Sequence, residues 1–282
     1  MDIKDILLVV SADAHADAND ALFAVAAEVA LAQGAFVRGL CLVEEPDPTV
    51  AESFARGPAA MDEVLTHRDQ QVHQVASVVQ AKFQQAMADA GVAADWRLGE
   101  TDEAVETTST RARYADLVIV AQPGEHDHDA RARVESLILS SGSPCLVTPP
   151  AAPAVGGLRR IVIGWDGGVA ARRALDASLP FLALAQTVEI AVVEDGAAPE
   201  VNEAAIDALI ARLARHGVRA EPRRFGKGLD DAGAALLTHV ATFDADLLVM
   251  GAYSHSRAAE AIVGGVTRTV LTQAALPVLL AH

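Results

Sequence analysis

The chain repeats itself, and the repeat limits what it can fold into. Asp116-Leu-Val-Ile-Val120 and Asp246-Leu-Leu-Val-Met250 are the same run, one acid followed by apolar residues. Other runs pair in the same order: Ile6-Leu-Leu-Val-Val10 with Ile161-Val-Ile163, residues 36–43 with 188–193, and Pro144-Cys-Leu-Val-Thr148 with Pro277-Val-Leu-Leu-Ala281. Helical patterns follow the first run of each set, near 20–32 and 170–185. Between the two sets lies a Pro/Gly/Ala stretch at 148–157 with no apolar period, which reads as a linker. A repeat of domain length is too long for a solenoid unit, so two copies of one fold are expected, residues 1–149 and 158–282. Unbroken apolar runs are the mark of strands covered on both faces. Alternating with helices, they predict an α/β chain of two tandem doubly wound domains, each a five-stranded parallel sheet of order 3-2-1-4-5 with helices on both faces.

Charge and composition exclude several functions. The formal net charge is −16, a field that opposes nucleic acid and anionic membrane alike. It is uneven: residues 1–150 carry 10 Lys/Arg against 24 Asp/Glu, and 151–282 carry 12 against 14, leaving −14 and −2. An anionic ligand is better tolerated in the second half. No apolar run approaches the ~18–20 residues of a membrane span. The acidic start, with no small-residue cleavage site, does not read as a secretory signal, so a cytoplasmic protein is expected. In the expected strand order Cys41 and Cys145 lie three steps apart, ~14 Å against the ~7 Å that a disulfide allows, and are expected as buried thiols. The polar segment 45–71 reads as a surface excursion before a long helix ending near Ala90. Glu125-His126-Asp127-His128-Asp129 has metal-binding residue types, but two histidines one residue apart share no helix or strand face, and the cluster reads as a solvated loop.

In open parallel sheets ligands sit beyond the carboxyl ends of the strands. Three pieces of the second half fall there: Asp166-Gly-Gly168 after its first strand, Gly251 at the end of its fourth, and Gly264-Gly-Val-Thr267 before a helical pattern. Glycines at a helix entry let backbone N–H groups approach a phosphate. Asp166 can accept from a ribose or an adenine edge, and the strand end at Val193 can flank the base. His255 offers an imidazole contact to phosphate, and Arg257 and Arg268 can neutralise phosphate or pair with Glu260 and cap a helix. No phosphate loop with Lys, no nucleophile elbow and no zinc-protease motif occurs, so an enzyme is not expected.

These residues resemble the universal stress protein family in its tandem two-domain form, over essentially the whole chain. The family's nucleotide signature is Gly, two residues, Gly, nine residues, Gly, then Ser or Thr. Gly251 and Gly264 fill the first and third positions, while Ser254 and Gly265 replace the second and fourth, with Val266-Thr267 following. The resemblance implies an ATP-like adenine nucleotide, with Mg2+ as its companion, bound by Asp166, Val193, Gly251, Ser254, His255, Gly264, Gly265, Val266 and Thr267. The first half departs further, with Ser11 in place of Asp166 and no paired glycines before its last helix, and is expected to bind no nucleotide. Family members pair through their terminal strands. The resemblance therefore implies an intrachain pseudo-dimer of the two halves, with homodimerisation through another surface. Two functions fit: a stress-response regulatory module that binds nucleotide, or an interaction protein in which both sites are vestigial.

Overall fold

Each apolar run of the repeat becomes a strand of one sheet. The computed structural model describes residues 2–11, 16–43, 58–100, 104–150, 159–194, 201–228, 231–253 and 265–282. Among them the first half forms β1 (Asp5–Ser11), α1 (Ala16–Gln33), β2 (Phe36–Val43), α2 (Pro58–Asp89), β3 (Ala94–Glu100), α3 (Ala104–Ala112), β4 (Leu117–Ala121), α4 (His128–Ser140) and β5 (Cys145–Thr148). The second half forms β6 (Arg160–Gly164), α5 (Val169–Leu182), β7 (Thr187–Glu194), α6 (Glu203–Arg215), β8 (Ala220–Gly226), α7 (Ala232–Phe243), β9 (Leu247–Gly251), α8 (Gly265–Gln273) and β10 (Val278–Ala281).

The strand order is β3-β2-β1-β4-β5-β10-β9-β6-β7-β8. Each half is thus parallel, in the expected order. The seam is antiparallel, with Val278 opposite Val147, Leu279 opposite Leu146 and Leu280 opposite Cys145. Leu146 and Leu279 hold the same place in the two copies and face one another, so the pairing is symmetric in the repeat. Each terminal strand covers the open edge that the other would present to solvent.

The continuous apolar runs are explained by burial on both faces. On one face Ile6, Leu8, Ile119, Leu146, Ile161, Ile163, Val249 and Leu279 pack under α1, α2, α5 and α6. On the other Leu7, Val9, Val118, Val162, Leu248, Val278 and Leu280 pack under α4, α7 and α8. Both layers run through the seam without a break. The repeat extends to single hydrogen bonds. The Asp116 carboxylate accepts from the N–H groups of Lys4 and Asp5 at 2.8 and 3.0 Å, and that of Asp246 from Arg159 and Arg160 at 2.9 and 2.8 Å. In each copy the residue before the fourth strand ties down the start of the first.

Two expectations need amendment. Helix α2 begins at Pro58, so residues 58–71 are helical rather than part of an excursion; residues 44–57 lie outside the described residues. Among its described side chains, Ala76, Val79, Phe83 and Met87 are buried and Val72 packs beside Ala76. The acidic 125–129 cluster is exposed but only partly loop: Asp127 accepts from the Ala130 N–H at 2.8 Å and caps α4, which begins at His128. Among the described residues no group of His, Cys, Asp and Glu could hold a metal ion, and no helix is long and apolar enough to cross a membrane. Cys41 and Cys145 are buried and form no disulfide with one another; burial pushes the Cys145 thiol up to about 12. The 151–158 linker lies outside the described residues.

Candidate functional site

In the second half the chain adds strands to one side of β6 and then, from β9, to the other. Chain connections leave to opposite sides there, which opens the crevice where ligands of such sheets bind. Gly164 of β6 lies opposite Met250 of β9 and Ala191 of β7, so the ends of these strands bring Asp166, Val193 and Gly251 to one rim.

Asp166 starts the turn into α5. Its Oδ1 accepts from the Gly168 N–H at 2.8 Å, a local bond that closes a turn around Gly167. Gly167 has φ +79°, a conformation that only glycine takes at low cost. Gly168 is the N-cap of α5 and offers no side chain to its first-turn N–H groups. Those donors therefore point toward the rim uncapped, with Val169 71% exposed beside them. Val193 is half-buried against the core beneath α7 and α8, an apolar wall.

Gly251 has a job other than the one its place in the signature implies. A Cβ there would stand 2.3 Å from the Ala171 nitrogen and 2.6 Å from the Ala170 carbonyl carbon. The space beside Gly251 is filled by the first turn of α5, so this glycine serves packing between strand end and helix. After it, Ala252 donates its N–H to the Ala281 carbonyl at 2.9 Å. Tyr253 then turns left-handed, at φ +56°, and donates its N–H to Thr267 Oγ1 at 3.2 Å.

Thr267 is correspondingly different from its expected role. It is 3% exposed, and its hydroxyl clamps the Tyr253 turn onto the first turn of α8 instead of standing open for phosphate. Val266 packs partly buried against the core. Gly265, the first residue of α8, is exposed, and a Cβ there would meet no atom of the described residues within 4 Å. Arg268 is exposed on the same turn. Ser254, His255, Arg257 and Gly264 lie outside the described residues. The structure thus gathers Asp166, Val193, Gly251, Gly265, Val266 and Thr267 around the end of the sheet, with Gly251 and Thr267 in structural roles. Tyr253 was missed by the sequence reasoning, since nothing in a tyrosine announces a positive φ.

The first half builds the same corner differently. Six residues, 122–127, connect β4 to α4, against thirteen, 252–264, between β9 and α8. Pro123 is buried in that short turn, and the Asp127 carboxylate already occupies the N-terminus of α4. An anion there would meet a fixed negative charge. Ser11 ends β1 without the carboxylate that Asp166 supplies.

Comparison with known proteins places this architecture. Residues 157–282 match the model of the universal stress protein family. Universal stress protein Slr1230 of Synechocystis is 26% identical over 216 residues, 73% of this chain and 72% of that protein. A universal stress protein from Archaeoglobus fulgidus superposes with TM-score 0.68 at 13% identity, over 98% of this chain and 97% of its own. A functionally unknown protein, PA1789 of Pseudomonas aeruginosa, gives 0.57 at 15% identity over 99% and 92%. Both structural likenesses span the two halves and speak to the fold. Residues 157–282 thus match the universal stress protein family, and the first half repeats the fold of the second.

Proposed function

We propose that the second half binds an ATP-like adenine nucleotide and that the chain works as a regulatory binding module. One observation carries this reading: α8 opens on an exposed glycine whose Cβ position has no atom of the described residues within 4 Å, at the end of a long connection, with the N-terminus of α5 uncapped by any side chain. A helix start whose cap residue offers no side chain, as at α5, favours a phosphate chain. Asp166 keeps a carboxylate at the rim for the sugar or base, and Val193 supplies apolar contact. The nearly neutral second half suits this anion better than the first. Mg2+ would arrive held by the phosphates, with Asp166 the one carboxylate of the gathered set able to meet it. The reading is of binding rather than catalysis, because no acid–base pair is assembled among these residues. A cytoplasmic setting suits the two buried thiols. The halves would act as an intrachain pseudo-dimer about the β5–β10 seam, and the second half, lacking the strong negative charge of the first, would carry any homodimer contact.

A second reading has specific support. Gly251 is occupied by packing and Thr267 by its bond to Tyr253, which suits a protein that keeps the fold of the family for interaction and no longer binds nucleotide. Mass spectrometry of small molecules released on denaturing the purified protein separates the two. An adenine nucleotide recovered in stoichiometric amount supports the first reading, whereas no nucleotide, together with no uptake of added ATP at millimolar concentration, supports the second.

A further inference from the structure

Arg224 of β8 reaches both ends of the connection between β7 and α6. Its Nη2 donates to the Val201 carbonyl at 2.7 Å, and its Nη1 lies 3.7 Å from the Glu194 carboxylate. The Arg224 side chain is 32% exposed and that of Glu194 58%, so the ion pair is worth little and the bond to Val201 is the firmer of the two. Val201 stands directly before Asn202, whose side chain caps α6 by accepting from the Ala205 N–H at 2.9 Å. An apolar residue in that place folds back onto the fourth residue of its helix, and Val201 is buried in the same core layer as that residue, Ile206. There it lies against the Gly167 turn: a Cβ on Gly167 would stand 3.2 Å from Val201 Cγ2. Neighbouring groups thus lead from the guanidinium, through Val201, to the turn that the Asp166 carboxylate closes by accepting from Gly168.

The first half cannot build this clasp. Asp5 and Arg160 are counterparts, each bonded through its N–H by the acid before the fourth strand, and Phe36 and Thr187 stand opposite them. Counted from there, Cys41 and Val192 hold the same place, and their neighbours on the outermost strands are Leu98 and Arg224. Leu98 has no side-chain donor and is 40% exposed. The arginine therefore distinguishes the half read as binding from the half read as closed.

We propose that Arg224 is a positioning residue of the second half's ligand site: by holding Val201 against the Gly167 turn, it fixes the Asp166 carboxylate at the rim. Arg224 touches no ligand in this account and acts through the Val201 carbonyl. A ribose or base gains most from an acceptor already set in place, because ordering the turn on binding would cost affinity. The inference rests on the nucleotide reading for what the rim binds, whereas the clasp itself needs no ligand.

The test uses the full-length chain with Arg224→Ala, Arg224→Lys and, as control for the lost charge, Arg223→Ala on the opposite face of the same strand. Without ligand, hydrogen exchange at the Gly168 amide, which donates to Asp166, is expected to quicken about tenfold in Arg224→Ala. Exchange should return toward wild type in Arg224→Lys, which keeps a donor for the Val201 carbonyl, and stay unchanged in Arg223→Ala. The Ala130 amide, capped by Asp127 in the first half, should exchange alike in every variant, which separates local loosening from a general loss of stability. With ATP, calorimetry is expected to show the same order, with affinity about five- to tenfold weaker in Arg224→Ala and near wild type in Arg223→Ala. Unchanged Gly168 exchange or unchanged ATP affinity in Arg224→Ala, equal effects of alanine at 223 and 224, or equal quickening at Ala130 would overturn the proposal. A wild-type protein that binds no ATP but shows the exchange pattern overturns the nucleotide reading alone.

Discussion

Gly251 and Gly265 bound the same connection and have opposite surroundings. At Gly251 an added methyl meets backbone atoms of α5 that cannot rotate away, so Gly251→Ala is expected to destabilise the chain by about 3 kcal/mol. At Gly265 the methyl meets no atom of the described residues within 4 Å. Gly265→Ala should leave stability within about 1 kcal/mol of wild type and on the stabilising side, by narrowing the unfolded ensemble. Urea unfolding of the two variants checks both values. The sequence marks the two glycines alike because a close approach and an open helix start require the same residue. Only the position of α5 tells them apart. Thr267 poses the same problem, since a hydroxyl after paired glycines reads as a phosphate donor until Tyr253 is seen to turn left-handed and bond to it.

At the level of elements, α5 and α6 are joined by charge. Asp176 of α5 bonds Arg172 one turn away and Arg212 of α6. Burial alone would raise its pKa, but the hydrogen bonds from the two guanidiniums outweigh that and hold the carboxyl below its ordinary value. A carboxyl depressed in the folded state contributes stability above the ordinary carboxylate range, and loses it as pH falls through the folded value. Asp176→Asn is therefore expected to flatten the acid limb of the stability–pH curve while changing its slope little near neutrality. A limb as steep as that of wild type would show that the pair contributes nothing. Strands β1, β4, β6, β9 and their partners were legible because burial on both faces leaves unbroken apolar runs. The start of α2 was not, because Gly57 and Pro58 read as a turn, although proline also suits the first turn of a helix. Nor was the local cap by Asp127, which turns part of an apparent metal cluster into the start of a helix.

Over the whole molecule, two core layers and one sheet continue through the β5–β10 seam. Unfolding either half would expose the terminal strand of the other, together with Leu146 or Leu279 at its centre. The chain is accordingly expected to unfold in a single cooperative transition by calorimetry, with van't Hoff and calorimetric enthalpies in agreement; two resolved transitions would show that the seam couples the halves weakly. The repeat in the sequence made the two halves visible. The difference between them was partly visible too, in Ser11 against Asp166 and in the absence of paired glycines from the first half. What the sequence did not reveal is how the halves reach into one another, because Gln122 carries no pattern that names the Ala274 carbonyl, more than a hundred residues away, as its partner. The central claim is that one half of this tandem chain binds a nucleotide and the other, closed by Asp127, does not. Titration of the full-length protein with ATP and Mg2+ by calorimetry tests it most directly, predicting one nucleotide per chain in wild type and a large loss of affinity in Gly265→Val; two nucleotides per chain, or none at millimolar ATP, would contradict it.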